Sequence, residues 1–224
     1  MRRDLSAVQQ VLQMSARVLR SRRLLGAVVV TALAAPFAGC TAQQRQGTGS
    51  SYLIVNSLEC ASGAKPDDKS NTCSSDVITN VKTQVNGKEV QVPTIYEDAG
   101  LVSLRLGMKD PTVTPSPTNS ITINRYHVQY VRADGRNTPG VDVPYPFDGG
   151  MTVTVSDQDA SGGFTIVRLQ AKEESPLKQL AGGGTAIAIS TIAEVTFYGR
   201  DQAGHDVSVM GRVSINFADW GDPQ

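Results

Sequence analysis

Residues 206–217, DVSVMGRVSINF, alternate almost without interruption. Val207, Val209, Gly211, Val213, Ile215 and Phe217 occupy one parity, and Asp206, Ser208, Met210, Arg212, Ser214 and Asn216 the other. A period of two belongs to a β-strand with one buried face, because successive side chains point to opposite sides of a sheet. Just upstream, Ile187, Ile189, Val195 and Phe197 share a parity, with Ser190, Glu194 and Thr196 on the other. Between the two runs lies GRDQAGH (199–205), which is turn chemistry. The C-terminal region is therefore expected to be a long antiparallel hairpin.

The same period extends towards the N-terminus. Residues 77–85 and 88–92 flank Asn86-Gly87, the strongest two-residue hairpin signal, since both positions tolerate positive φ. Residues 101–106, 151–155 and 164–169 read as further short strands. Within ITINRYHVQYVR (121–132) the apolar parity switches from Ile121 and Ile123 to Tyr126, Val128 and Tyr130, which predicts a bulge near Asn124-Arg125. Helix signal is confined to KEESPLKQL (172–180), starting near Ser175-Pro176, and Gly182-Gly183-Gly184 ends it. No Lys-Ser/Thr pair follows those glycines, so they read as a link into the next strand, not a phosphate cradle.

Eight or nine strands with few helices predict an all-β fold, an antiparallel β-sandwich with long loops. The pattern resembles the immunoglobulin-like or fibronectin-type domains of bacterial surfaces in architecture alone. A jelly roll is the competing arrangement.

The first forty residues carry a different message. Arg20, Arg22 and Arg23 precede an apolar run of 15 residues (24–38), followed by Gly39-Cys40. Basic, apolar, small is the order of a secretory leader. The run is short for a spanning helix, which needs about 20 apolar residues, and Pro36 breaks it near its end. An uncleaved anchor helix is the alternative. Ala38, Gly39 and Cys40 resemble the lipobox of bacterial lipoproteins, with Phe37 where leucine is usual. The resemblance implies cleavage before Cys40 and a diacylglycerol on its thiol. Ser21-Arg22-Arg23-Leu24-Leu25 also partly resembles a twin-arginine export signal, and Met14 is an alternative start. The expected organisation is a leader over 1–39, a lipidated flexible tether over 40–51 and a sandwich domain over 52–224. The cell envelope is the expected location, with the lipid in the outer membrane.

Charge sharpens this. The chain holds 21 basic and 21 acidic residues; without the six arginines and Asp4 of residues 1–39, 15 and 20 remain. A mature charge of about −5 offers no footprint for nucleic acid. It does not favour an anionic lipid surface either, so attachment falls to the lipid.

With Cys40 assigned to lipid, Cys60 and Cys73 remain, and outside the cytoplasm such a pair is expected to form a disulfide. It would close the polar loop ASGAKPDDKSNT (61–72). A zinc site would need more ligands than the distant His127 and His205 supply, and a redox pair is usually closer in sequence. His127, in a strand, and His205, in a turn beside Asp206, are expected to face solvent or pack at an edge.

Chemistry-bearing groups are few, so no catalytic role and no cofactor are expected. Asp134, Asp157 and Asp159 lie in turns that could offer oxygens to calcium, but Asp, Asn and Gly are also ordinary turn residues. The segment DGRNTPGVDVPYPFDGG (134–150) is a candidate ligand loop through Arg136, Asn137, Tyr145 and Phe147. Its alternative is a crossover whose aromatics cap the core. The expected function is a membrane-anchored, non-catalytic binding or envelope-structural module with a protein or glycan partner. The alternatives are a carbohydrate-binding module stacking sugars on Tyr126, Tyr130, Tyr145 or Trp220, and a hydrolase using paired acids.

Overall fold

The computed structural model describes residues 49–183 and 187–221. The leader, Cys40 and the tether up to residue 48 lie outside the described residues. Ten strands follow one another: β1 (Ser51–Ala61), β2 (Thr72–Asp76), β3 (Thr79–Val85), β4 (Lys88–Thr94), β5 (Asp98–Met108), β6 (Ile121–Val131), β7 (Phe147–Val155), β8 (Ala160–Val167), β9 (Ile189–Asp201) and β10 (Asp206–Ala218). Among the described residues one short helix, α1 (Leu169–Glu173), and two 3₁₀ turns at Pro117–Asn119 and Leu177–Leu180 interrupt them.

The fold is all-β. One sheet runs β1-β5-β8 and a second β2-β10-β9-β6-β7, with β3 and β4 forming a separate ribbon. Every pairing is antiparallel except β2 against β10. The inward faces meet in one core. Val102, Leu104 and Ile166 face it from the first sheet; Ile121, Ile123, Val128, Val195, Phe197, Ile215 and Phe217 face it from the second. Aromatic edges cross the gap: Phe164 lies 5.0 Å from Tyr126 and 5.4 Å from Phe197, centroid to centroid. The Tyr130 hydroxyl donates to the Ile166 carbonyl at 2.7 Å, tying one sheet to the other.

The C-terminal hairpin forms as its alternation requires. Gly211, Val213, Ile215 and Phe217 are buried, and their strand pairs with β9 over its whole length. The β6 bulge is also present: the register slips between Ile123 and Arg125, and buried residues change from odd to even across it. A second bulge in β1, between Val55 and Ser57, was not anticipated. Asn86 (φ 52°) and Gly87 (φ 77°) make the expected β3–β4 turn.

Several expectations are corrected. The β3–β4 hairpin is no part of either main sheet; it projects as a ribbon whose Val85, Val90 and Val92 are exposed. Its alternation marks two faces without saying whether either is covered. The strand expected over 164–169 stops at Val167, because Leu169 opens α1. The helix expected from Ser175-Pro176 is divided, with α1 ending at Glu173 and a 3₁₀ turn following. Burial of Lys172 favours the earlier start, since α1 delivers that side chain inward. Ile187 is exposed, lying before β9 begins. β1 starts at Ser51 and Gly49 is already buried, so residue 51, expected in the tether, belongs to the first strand.

Two carboxylates organise the ends. Asp98 is fully buried and accepts from the Lys172 ammonium at 2.8 Å, the Gly63 amide at 2.9 Å and the Ser75 hydroxyl. At the opposite end, Asp201 accepts from the amides of Ala203 and His205 and from His205 Nδ1 at 2.7 Å, closing the β9–β10 turn. Burial pushes the Asp201 carboxyl up, but these hydrogen bonds, led by the His205 amide, outweigh it and hold it below its ordinary value.

Replacing Lys172 by Met leaves Asp98 charged and buried without its counter-ion. The expected loss is about 3–5 kcal/mol of unfolding free energy, read from denaturant midpoints; a loss under about 1 kcal/mol would show that the pair contributes little. Because the folded Asp201 carboxyl lies below its unfolded value, its contribution is complete above the ordinary value of 3.8 and disappears as pH falls through the folded value. The stability advantage of the wild type over Asp201→Asn should therefore shrink on acidification in that window, and an advantage that grows there would contradict the assignment.

Candidate functional site

The disulfide stands where the two sheets come together. Cys60 lies next to the end of β1 of the first sheet and Cys73 in β2 of the second, with Cα atoms 5.7 Å apart. The expected pairing is present. The polar loop it closes is itself ordered: Cys60 and Ser70 exchange both backbone hydrogen bonds, Lys65 and Asp68 close successive turns, and Gly63 reaches Asp98. A loop without large apolar side chains is held here by a covalent link and by backbone bonds.

After β10 the chain turns back at Trp220. Its amide donates to Asp76 Oδ1 at 3.0 Å, and its indole Nε1 donates to the carbonyls of Ser75 and Asn216 at 3.0 and 3.3 Å. The other Asp76 oxygen accepts from the Thr79 hydroxyl at 2.6 Å. Burial pushes the Asp76 carboxyl up, against the lowering effect of those hydrogen bonds. Between loop, β2 and Trp220 lies an open-sided cleft of about 210 Å³. Ser62, Lys65, Asp68, Ser70, Thr72, Ser74, Asp76 and Trp220 line it, together with Cys73 of the disulfide. Ser70 Oγ accepts from the Thr72 amide, whereas the hydroxyls of Ser62, Thr72 and Ser74 have no hydrogen-bond partner among the described residues.

The other sequence candidates fall elsewhere. Tyr126 and Tyr130 are core residues, 4% and 2% exposed, so neither is a stacking platform. Burial raises both phenols. Phe147 opens β7 inside the core, with the Arg168 guanidinium 4.5 Å from its ring. It caps the core, and of the loop aromatics Tyr145 alone is exposed, packed over Gly140. Arg136 is bound to Asp134, and Asn137 Oδ1 accepts from the Arg132 amide; both are spent within their own turn.

The calcium candidates are not brought together. Asp134 follows β6, while Asp157 and Asp159 lie beyond β7 at the opposite end of the β6–β7 pair. The side-chain hydrogen bonds of Arg132 and Arg136 hold Asp134 well below the usual carboxylate range, and Arg105 does the same for Asp159 more mildly. Among the described residues no group of three or more metal-ligating side chains converges. His127 meets Asp148 at 3.3 Å on an exposed face, where Arg125 shares the same carboxylate.

Compared with protein-family models, curated proteins and solved structures, the chain matches none. Its site stands on its own geometry. Of the cleft residues, sequence reasoning had named Cys73 and Trp220. The hydroxyl run from Ser70 to Ser74 carried a signal in being polar and strand-flanking at once. Asp76 and Asp98 carried none, because an isolated Asp in a chain of this composition looks like a turn residue.

Removing the crosslink with Cys60→Ser/Cys73→Ser is expected to cost about 3 kcal/mol for a closed loop of this size. The chain has a single tryptophan, so its emission should also shift to the red as the loop leaves Trp220. Unchanged melting together with unchanged emission would show that the crosslink does not shape the cleft.

Proposed function

We propose that this chain is an exported lipoprotein, cut before Cys40 and anchored there by lipid. In this reading the immunoglobulin-like β-sandwich is a non-catalytic binding module of the cell envelope, held at the outer membrane. The observation that carries the proposal is the separation of two poles. Gly49 enters beside Asp201 and His205, where Asn119 also bonds Ser50 and Ser51. The disulfide loop, ribbon and Trp220 cleft lie at the other end of β1. Eleven residues of strand separate them, roughly 35 Å. From Cys40 to Gly49 the chain spans at most about 30 Å. A lipid at Cys40 therefore leaves the cleft pole free to turn outward.

The immunoglobulin-like assignment is supported by two packed, mainly antiparallel sheets whose strands cross repeatedly between layers. The non-catalytic reading is supported by how the acids are used. Asp76, Asp98, Asp134, Asp159 and Asp201 each hold structural partners, which fits binding better than proton transfer.

The test is membrane fractionation of Cys40→Ser. The variant is expected to move from the membrane to the soluble fraction with its circular dichroism unchanged, since each buried lipid methylene contributes about 0.8 kcal/mol to attachment. A variant still firmly in the membrane fraction, or wild-type protein with an unmodified thiol at position 40 by mass spectrometry, overturns the proposal.

A further inference from the structure

We infer that the cleft at Trp220 binds one ring of a saccharide, its apolar face on the indole and its hydroxyls on Ser62, Thr72 and Ser74. This rests on the binding-module reading above and adds the class of ligand.

The polar lining has the character a sugar requires. A hydroxyl both donates and accepts, so a row of them matches a polyhydroxyl ligand without a fixed charge. Ser62, Thr72 and Ser74 are unengaged among the described residues, while the neighbouring Ser70 hydroxyl accepts from the Thr72 amide. Asp76 spends both oxygens on Thr79 and Trp220. Lys65 and Asp68 place opposite charges on the same rim, so neither sign dominates the entrance.

The aromatic surface is prepared in advance. Three hydrogen bonds hold Trp220, one through its amide and two through its indole. A ring already fixed loses little freedom when a ligand stacks on it. The indole is also broad and apolar with its polar edge satisfied, as stacking on the C–H face of a sugar demands. At about 210 Å³ the cleft is smaller than the roughly 300–1,000 Å³ typical of drug-sized ligands. One pyranose ring fits that scale, and the open side lets a chain continue beyond it.

The single tryptophan makes the test direct, because all indole emission comes from the cleft. Full-length protein in detergent micelles is titrated with chitotetraose, cellohexaose, maltohexaose and, as a cationic probe, tetramethylammonium. The expected result is a saturable emission shift with at least one oligosaccharide. In Thr72→Val/Ser74→Ala the midpoint should weaken about tenfold, with circular dichroism and melting unchanged. Should that variant fail to fold, Ser62→Ala, in the loop, is expected to weaken the same titration severalfold.

A flat response to all three sugars overturns the inference. So does a response to tetramethylammonium alone, or a sugar midpoint unmoved by the substitutions. The membrane fractionation of Cys40→Ser is read independently, so a failed sugar titration with intact lipid anchoring counts against the saccharide and not against the anchored module.

Discussion

Asp98 is an acid with no access to solvent, paired with the Lys172 ammonium, and the cleft end of the domain is arranged around satisfying it. Removing such a charge from water costs several kcal/mol unless its oxygens are fully engaged. Here four separate segments meet, three of them engaging the carboxylate of the fourth. β5 supplies Asp98, α1 supplies Lys172, the end of β2 supplies Ser75 and the disulfide loop supplies Gly63. Apolar packing would hold the sheets together without specifying angle or register, because it has no direction. The hydrogen bonds to Asp98 do have direction, and they bring the two sheets, the helix and the loop to one point.

From that point the rest of the cleft follows by short steps. Ser75 places the next residue, Asp76, where it can hold the Trp220 amide and the Thr79 hydroxyl. Trp220 then closes over the loop that Cys60 and Cys73 staple from the other side. Each polar group used in this scaffold is withdrawn from ligand chemistry. The hydroxyls left over face the cleft. The other pole is simpler: Asp201 locks one tight turn, and Ser50 and Ser51 fasten the incoming chain to Asn119. The cleft pole thus carries both the densest set of structural bonds and the hydroxyls left unengaged, while the other pole only fastens the incoming chain.

How much was legible beforehand depends on whether the signal was local. Asn86-Gly87 announced a turn through its own backbone preference, and the turn formed. The parity switch around Asn124 announced a bulge because one face of β6 had to stay buried on both sides of it. The bulge in β1 is not legible in the same way, since the unbroken apolar run from Tyr52 to Val55 hides the shift of buried positions from Leu53 to Leu58 and Cys60. Phe147 looked like a loop aromatic from its proline neighbours, yet it packs inward where β7 begins. Leu169 continued an apolar run by composition but left the strand to start α1, which carries Lys172 to Asp98. The Val-rich ribbon alternated like any sandwich strand; which neighbours it lacks is a matter of topology.

By itself the sequence determined the elements and their faces: period-two alternation, turn residues at fixed offsets, and three cysteines of which two suit each other. Those are properties of neighbours along the chain, and backbone geometry converts them into structure with little further help. Only the tertiary structure decided which carboxylates are structural, that Tyr126, Tyr130 and Phe147 are core while Trp220 lines a cleft, and that this cleft lies a full strand away from the entering chain. Those outcomes depend on segments far apart in sequence meeting in a medium of low dielectric, where an unpaired charge or unmet hydrogen bond is expensive enough to choose among arrangements that local pattern leaves equal.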